Sequence, residues 1–105
     1  METLQFDFQA SAPRPLRAAP VVVGVVASGN LEVLVEHADL DGACRVEVST
    51  AAQGFGIVWR AVLDDFVERA QAADVRISIN DVGATPAVVS LRLDQAIEEY
   101  RAAPR

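Results

Sequence analysis

The chain has 105 residues and a net charge of −6, with 51% hydrophobic and 23% charged residues. Such a chain folds around one modest core, so residues 1–105 are expected to form a single globular unit. The acidic balance excludes gripping a phosphate backbone, which needs clustered Lys and Arg, but it suits docking onto basic surfaces. The lone cysteine, Cys44, excludes an internal disulfide and is compatible with a reducing cytoplasm, the expected location. The opening residues lack the pattern of a secretory signal, and the longest apolar run, Ala18 to Ala27, is too short to span a bilayer.

Leu4, Phe6 and Phe8 alternate with polar neighbours and predict a short strand with one buried face. Ser11 to Pro20 holds three prolines and reads as an internal linker. Val21 to Ala27 is nearly continuous in apolar residues, as in a strand covered on both faces. Leu31, Val33 and Val35 mark the next strand. Between them, Ser28-Gly29-Asn30 suggests a two-residue hairpin turn, with Gly29 supplying positive φ. Asp39 to Gly42 makes a second turn, and Cys44, Val46 and Val48 carry another strand.

Gly54 and Gly56 break that strand, and a helix runs to about residue 71, with Phe55, Trp59, Val62, Leu63, Phe66 and Ala70 on one stripe. Val75, Ile77 and Ile79 form a strand, and Asn80 to Thr85 a loop. Thr85-Pro86 is a helix start, Thr capping and Pro at the first helical position. Val89, Leu93, Ala96, Ile97 and Tyr100 stripe the last helix, and Pro104 ends it. The order β-βββ-α-β-α predicts an α+β two-layer sandwich: a mostly antiparallel sheet of about five strands with two helices on one face. The first helix is a crossover, so strand 75–80 should run parallel to strand 44–49. In that topology the Ser28 hairpin, the Gln53 to Gly56 loop and the Asn80 to Pro86 loop share one end. Both helix N-termini lie there and favour anions.

Catalytic apparatus is sparse. His37, the only histidine, sits at a strand end and reads as a solvated turn residue, and Cys44, in phase with Val46 and Val48, as a small core residue. One Cys and one His cannot build a zinc site of ordinary spacing. Trp59 reads as core, and Asp64, Asp65, Glu98 and Glu99 as solvated helix faces. Ser28 stands out by position alone, a hydroxyl at a tight turn after seven apolar residues, although many turn serines only shape turns.

The run Val23-Gly24-Val25-Val26-Ala27-Ser28-Gly29-Asn30-Leu31-Glu32-Val33-Leu34 resembles the prosthetic-group site of the malonate decarboxylase acyl carrier (delta subunit) family. Two further stretches are similar, Gly54 to Leu63 and Ile79 to Leu93, as is the opening Met1-Glu2-Thr3-Leu4, so the likeness reaches about Tyr100. It implies that Ser28 carries 2'-(5''-phosphoribosyl)-3'-dephospho-CoA through a phosphodiester, with acetyl or malonyl on the terminal thiol. Gly29 would shape the turn; by the strand directions, not the resemblance, Asp81 and Thr85 fall at the same end, where they either stand beside the cofactor or only shape the loop and cap the helix. The implied partners are an acyl-carrier transferase subunit, the decarboxylase subunits, a prosthetic-group transferase and a malonyl transferase. The chain itself would be non-catalytic and would bind no nucleic acid. It should not be a four-helix carrier, because the serine precedes Gly-Asn in a hairpin rather than opening a helix. The alternatives are a small α+β interaction or regulatory module without covalent cofactor and, with less in the sequence to recommend it, a self-sufficient enzyme.

Overall fold

A computed structural model describes residues 1–15 and 18–102. The elements are β1 (Glu2–Gln9), β2 (Arg14–Pro15), β3 (Val21–Gly24), β4 (Asn30–His37), β5 (Ala43–Thr50), α1 (Gly56–Ala70), β6 (Ala72–Ala73), β7 (Val75–Val82) and α2 (Pro86–Ala102). The main sheet has the order β1-β5-β7-β4-β3. Only β5 and β7 pair in parallel, and the other neighbours are antiparallel. This is the expected α+β sandwich, and α1 provides the expected crossover.

The register explains the one-sided core. Phe6 lies opposite Val46, Val46 opposite Ile77, and Ile77 opposite Val35, so one apolar row crosses four strands. A parallel row joins Leu4, Val48, Ile79 and Val33. Side chains alternate along a strand, so these rows share a face. Leu63, Phe66 and Val67 of α1 and Leu93, Ala96 and Tyr100 of α2 pack on that face in one cluster. All five α2 stripe residues are buried as the pattern requires. The other face is polar and open, carrying the exposed ion pairs Arg45–Asp7 and Arg76–Glu47. Among the described residues, no helix is long and apolar enough to cross a membrane.

Several boundaries differ from the sequence reading. Strand β3 ends at Gly24, not Ala27, and it is a sheet edge rather than a strand covered on both faces: Val22 is 56% exposed. Gly24 has φ +89°, and a Cβ there would lie 2.1 Å from the Leu31 carbonyl oxygen. The chain therefore bends away from β4 at a point only glycine can occupy. Phe55 is not on the α1 stripe. It is the residue before the helix and is 51% exposed, while Val67 joins the buried face. Strand β7 runs on to Val82, so the loop before α2 shortens to residues 83–85. Pro104 lies outside the described residues.

The proline-rich segment is more than a linker. Arg14–Pro15 pairs in parallel with Ala72–Ala73. Before that pairing, the Ala12 amide donates to Gln71 Oε1 at 2.7 Å, and after it the Ala18 amide donates to the Tyr100 hydroxyl at 3.3 Å. The segment joins the two edge strands β1 and β3 as a strap across the C-terminal ends of both helices.

Candidate cofactor attachment site

Ser28 is exposed at the centre of a tight turn. The turn is not the two-residue hairpin of the sequence reading. The last β3–β4 pair is Gly24 with Glu32, which leaves a longer loop from Val25 to Gly29. Within it the Asn30 amide donates to the Ala27 carbonyl at 2.9 Å, closing a β-turn with Ser28 and Gly29 in the middle. Gly29 has φ +74°, as expected, and that sign at the third turn position is where a type II turn calls for glycine. The Gly29 amide then donates to the Val82 carbonyl at 2.7 Å. The serine turn is thus fastened to the C-terminal end of β7, at the same end as residues 83–85, as the strand directions required.

Asp81 is in phase with Ile77 and Ile79, and this puts its carboxylate on the core side of β7 at 4% exposure. Its Oδ2 accepts from the Thr50 hydroxyl at 2.8 Å and from the Gly83 amide at 3.3 Å; its Oδ1 accepts from the Ala84 amide at 2.9 Å. A buried carboxylate needs such donors to offset its lost hydration. Here they fix the end of β5 and the entry to α2 together. Thr85 caps α2, its Oγ1 accepting from the Val88 amide at 3.3 Å. Between the first turns of the helices lies a cleft of about 310 Å³ lined by Thr50, Phe55, Trp59, Asp81, Pro86 and Val89, among others. Neither helix carries an acidic residue in its first turn, and α1 has no side-chain cap. Just ahead of them, however, carboxylates already take backbone amides: Glu2 Oε1 accepts from the Gly54 amide at 3.2 Å before α1, and Asp81 from Gly83 and Ala84 before α2, so the positive ends of the helices are partly met from within the chain.

Sequence reasoning passed over Arg92. Its Nε donates to Asn30 Oδ1 at 3.2 Å and its Nη1 to Gln95 Oε1 at 3.0 Å. The contact spans 62 positions, so no local pattern could reveal it. Exposed apolar side chains also gather at this end: Val25, Val26, Phe55 and Val58, with Ile57 at 89% exposure.

The other candidates lie elsewhere. Cys44 is buried in the sheet, where burial first, and the charge of Asp7 second, pushes its thiol up to about 12. It is un-ionised at neutral pH and inert as a nucleophile. His37 is not a solvated turn residue. Its side chain is 20% exposed; Nε2 lies 2.9 Å from Asp39 Oδ1, and Nδ1 is buried with no partner among the described residues. It closes β4 at the end away from Ser28. Among the described residues, no cluster of His, Cys, Asp or Glu could hold a metal ion.

The fold and this end define a class: a small two-layer α+β protein that presents a turn serine within an apolar rim. The family model described as Malonate decarboxylase delta subunit (MdcD) matches residues 18–100, and the chain belongs to that family. It is 59% identical over 103 residues to the malonate decarboxylase acyl carrier protein of Xanthomonas euvesicatoria pv. vesicatoria (strain 85-10), covering 98% of each chain. It is 60% identical over 99 residues to that of Burkholderia cepacia, covering 94% of this chain and 90% of the relative. Among solved structures it is similar to a chain in the crystal structure of a Pseudomonas malonate decarboxylase hetero-tetramer in complex with malonate. There the TM-score is 0.83 and the identity 39%, with 95% of this chain and 99% of that chain covered.

Proposed function

We propose that this chain is the acyl carrier subunit of a malonate decarboxylase and that Ser28 is its single attachment point. The group attached is 2'-(5''-phosphoribosyl)-3'-dephospho-CoA, joined through a phosphodiester and supplying a thiol on a flexible arm that bears acetyl or malonyl. The observation that carries this reading is the exposed Ser28 hydroxyl on a turn fastened to β7, in a chain of this family. The surroundings fit such a group. A Cβ at Gly29 or Gly83 would meet nothing within 4 Å, so the serine stands in open space. Neither helix carries an acidic residue of its own in its first turn, and the carboxylates next to them are engaged, Glu2 by the Gly54 amide and Asp81 by Thr50, Gly83 and Ala84.

The residues of this chain then act by presentation. Gly29 sets the turn. Asp81 shapes the neighbouring loop, Thr85 caps the helix beside it, and the apolar rim offers a docking surface to the transferase and decarboxylase subunits. Acid, base and metal chemistry fall to those partners, and tethering raises the local concentration of the acyl group at their sites. The setting is the cytoplasm.

Intact-mass measurement tests the reading. Incubation with the prosthetic-group transferase and activated precursor should add one group to the chain and none to Ser28→Ala, whose unfolding midpoint should match the parent. Peptide mapping that places the adduct on Ser11, Ser49, Ser78 or Ser90 would overturn it. A native protein without adduct, still bound to its complex, would favour an interaction module instead.

A further inference from the structure

Arg45, Arg60, Arg69 and Arg76 each meet a carboxylate within 4 Å. Arg92 does not follow this pattern: its two hydrogen bonds go to neutral amide oxygens, and among the described residues no carboxylate pairs with it. In a chain of net charge −6 this is an uncommitted cation. Its location is specific. Asn30, which holds its Nε, closes the Ser28 turn, and the Arg92 stem runs beside the bend at Gly24, where a Cβ would lie 3.5 Å from Arg92 Cδ. Glu32, out of phase with the buried Leu31 and Val33, meets the Asn80 side chain at 3.3 Å on the sheet face away from the helices. Asn30 Oδ1 also accepts from the Leu31 amide at 2.8 Å, so the residue that orients the guanidinium is itself fixed.

We propose that Arg92 is the anion-positioning residue of the attachment site, its guanidinium taking the phosphodiester oxygens that Ser28 acquires on modification. This rests on the reading of Ser28 as the attachment point. A guanidinium forks onto phosphate oxygens through parallel N–H donors. Binding by Arg92 holds the root of the arm against α2 and steadies the turn for the modifying enzyme.

The test uses the full chain, Arg92→Gln and Arg92→Lys, each incubated with the prosthetic-group transferase and activated precursor and followed by intact mass. The Arg92 Nε–H signal of the parent chain should move on loading. In phosphorus NMR the phosphodiester resonance should differ between the loaded parent and loaded Arg92→Gln, with the pyrophosphate resonances unchanged. Arg92→Gln should load roughly tenfold more slowly at low salt, a gap that narrows as salt screens the charge. Arg92→Lys, which keeps the charge, should recover part of the rate together with its salt dependence, whereas a purely structural tie to Asn30 would give a loss that salt does not change. An Arg92 signal that stays in place on loading overturns the proposal, as does a change confined to the pyrophosphate. If Arg92→Gln does not fold, the parent's Nε–H signal still decides. A parent chain that gains no adduct on Ser28 overturns the attachment reading and this inference with it.

Discussion

The two ends of the sheet are held by the same device and left in opposite states. Asp74 stands just before β7 and Asp81 near its end, and each carboxylate gathers the loops around it. Asp74 accepts from the Leu40 amide at 3.1 Å and the Gly42 amide at 2.9 Å, which fixes the β4–β5 turn. Asp81 accepts from Thr50, Gly83 and Ala84. At the Asp74 end, the strap through Ala12 and Ala18 closes over the helix ends. At the Asp81 end, nothing comparable covers the surface among the described residues. A cleft opens between helix N-termini, apolar side chains face solvent, and Arg92 has no carboxylate partner among the described residues. If Ser28 is the attachment point proposed above, the functional end is the one left uncovered, over a floor as well bonded as that of the closed end.

Replacing Asp81 should break this floor most severely. Asp81→Ala removes the acceptor for three donors beside a buried strand end, and such losses cost about 2–4 kcal/mol. The α2 entry and the Val82 carbonyl that holds Gly29 would loosen together. Denaturant unfolding should show the loss, and loading of Ser28 should slow in the variant under folding conditions. A variant as stable as the parent would mean that water satisfies these donors.

Next come the two glycines of the β3–β4 loop. Gly24→Ala meets positive φ and a backbone oxygen at 2.1 Å, and should cost about 2–3 kcal/mol. Gly29→Ala meets positive φ in open space and should cost only about 1 kcal/mol. Unfolding midpoints that ranked the two the other way would show that the turn, not the bend, holds the edge strand in place. The bulkier Gly29→Val should slow modification further, because β-branching adds strain at positive φ.

These positions show how much could be read from the sequence. The α2 stripe, its Thr85-Pro86 start and the parallel return of β7 follow from periodicity, capping chemistry and crossover geometry, all of which are local or topological. The end of β3 escaped because Val25 and Val26 continue an apolar run, yet are 55% and 58% exposed. Apolar character on an exposed rim looks the same in sequence as apolar character in a core. Asp81 was legible in principle: it keeps the alternation of Ile77 and Ile79, and that phase already implies burial. The strap was hidden because prolines signal the absence of helix without saying what the segment pairs with. Arg92 depends on a contact between a helix and a distant loop, which sequence pattern does not encode.

A milder comparison sets Thr85 against Asp41. Thr85→Ala removes the cap from α2 and should cost about 1 kcal/mol, with slower loading or acyl transfer. Asp41 lies in the turn at the closed end with φ +54°, a conformation Asn also tolerates, so Asp41→Asn should change stability by less than about 0.5 kcal/mol and leave loading unchanged. Equal effects of the two on loading would remove the functional distinction between the ends.

The smallest effect belongs to Asp74 and appears only as a pH dependence. The amides of Gly42 and Leu40, in that order, hold its carboxyl below the usual 3.8, with His37 adding a weaker charge effect. A lowered folded-state pKa means the unfolded chain binds protons more readily, so stability rises with pH in this window. The contribution is fully present above 3.8 and is lost as pH falls below it through the folded value. Asp74→Asn, with one carbonyl oxygen left to accept, should show a shallower loss of stability on acidification than the parent and little difference in that slope near neutrality. Asp7, held low chiefly by its hydrogen bond from Arg45, titrates in the same direction, so the informative quantity is the difference between parent and variant rather than either curve alone. Parallel acid limbs would mean that the Leu40 and Gly42 amides bind the carboxyl no better in the folded chain than water does in the unfolded one, and the closed end would then owe its order to the strap.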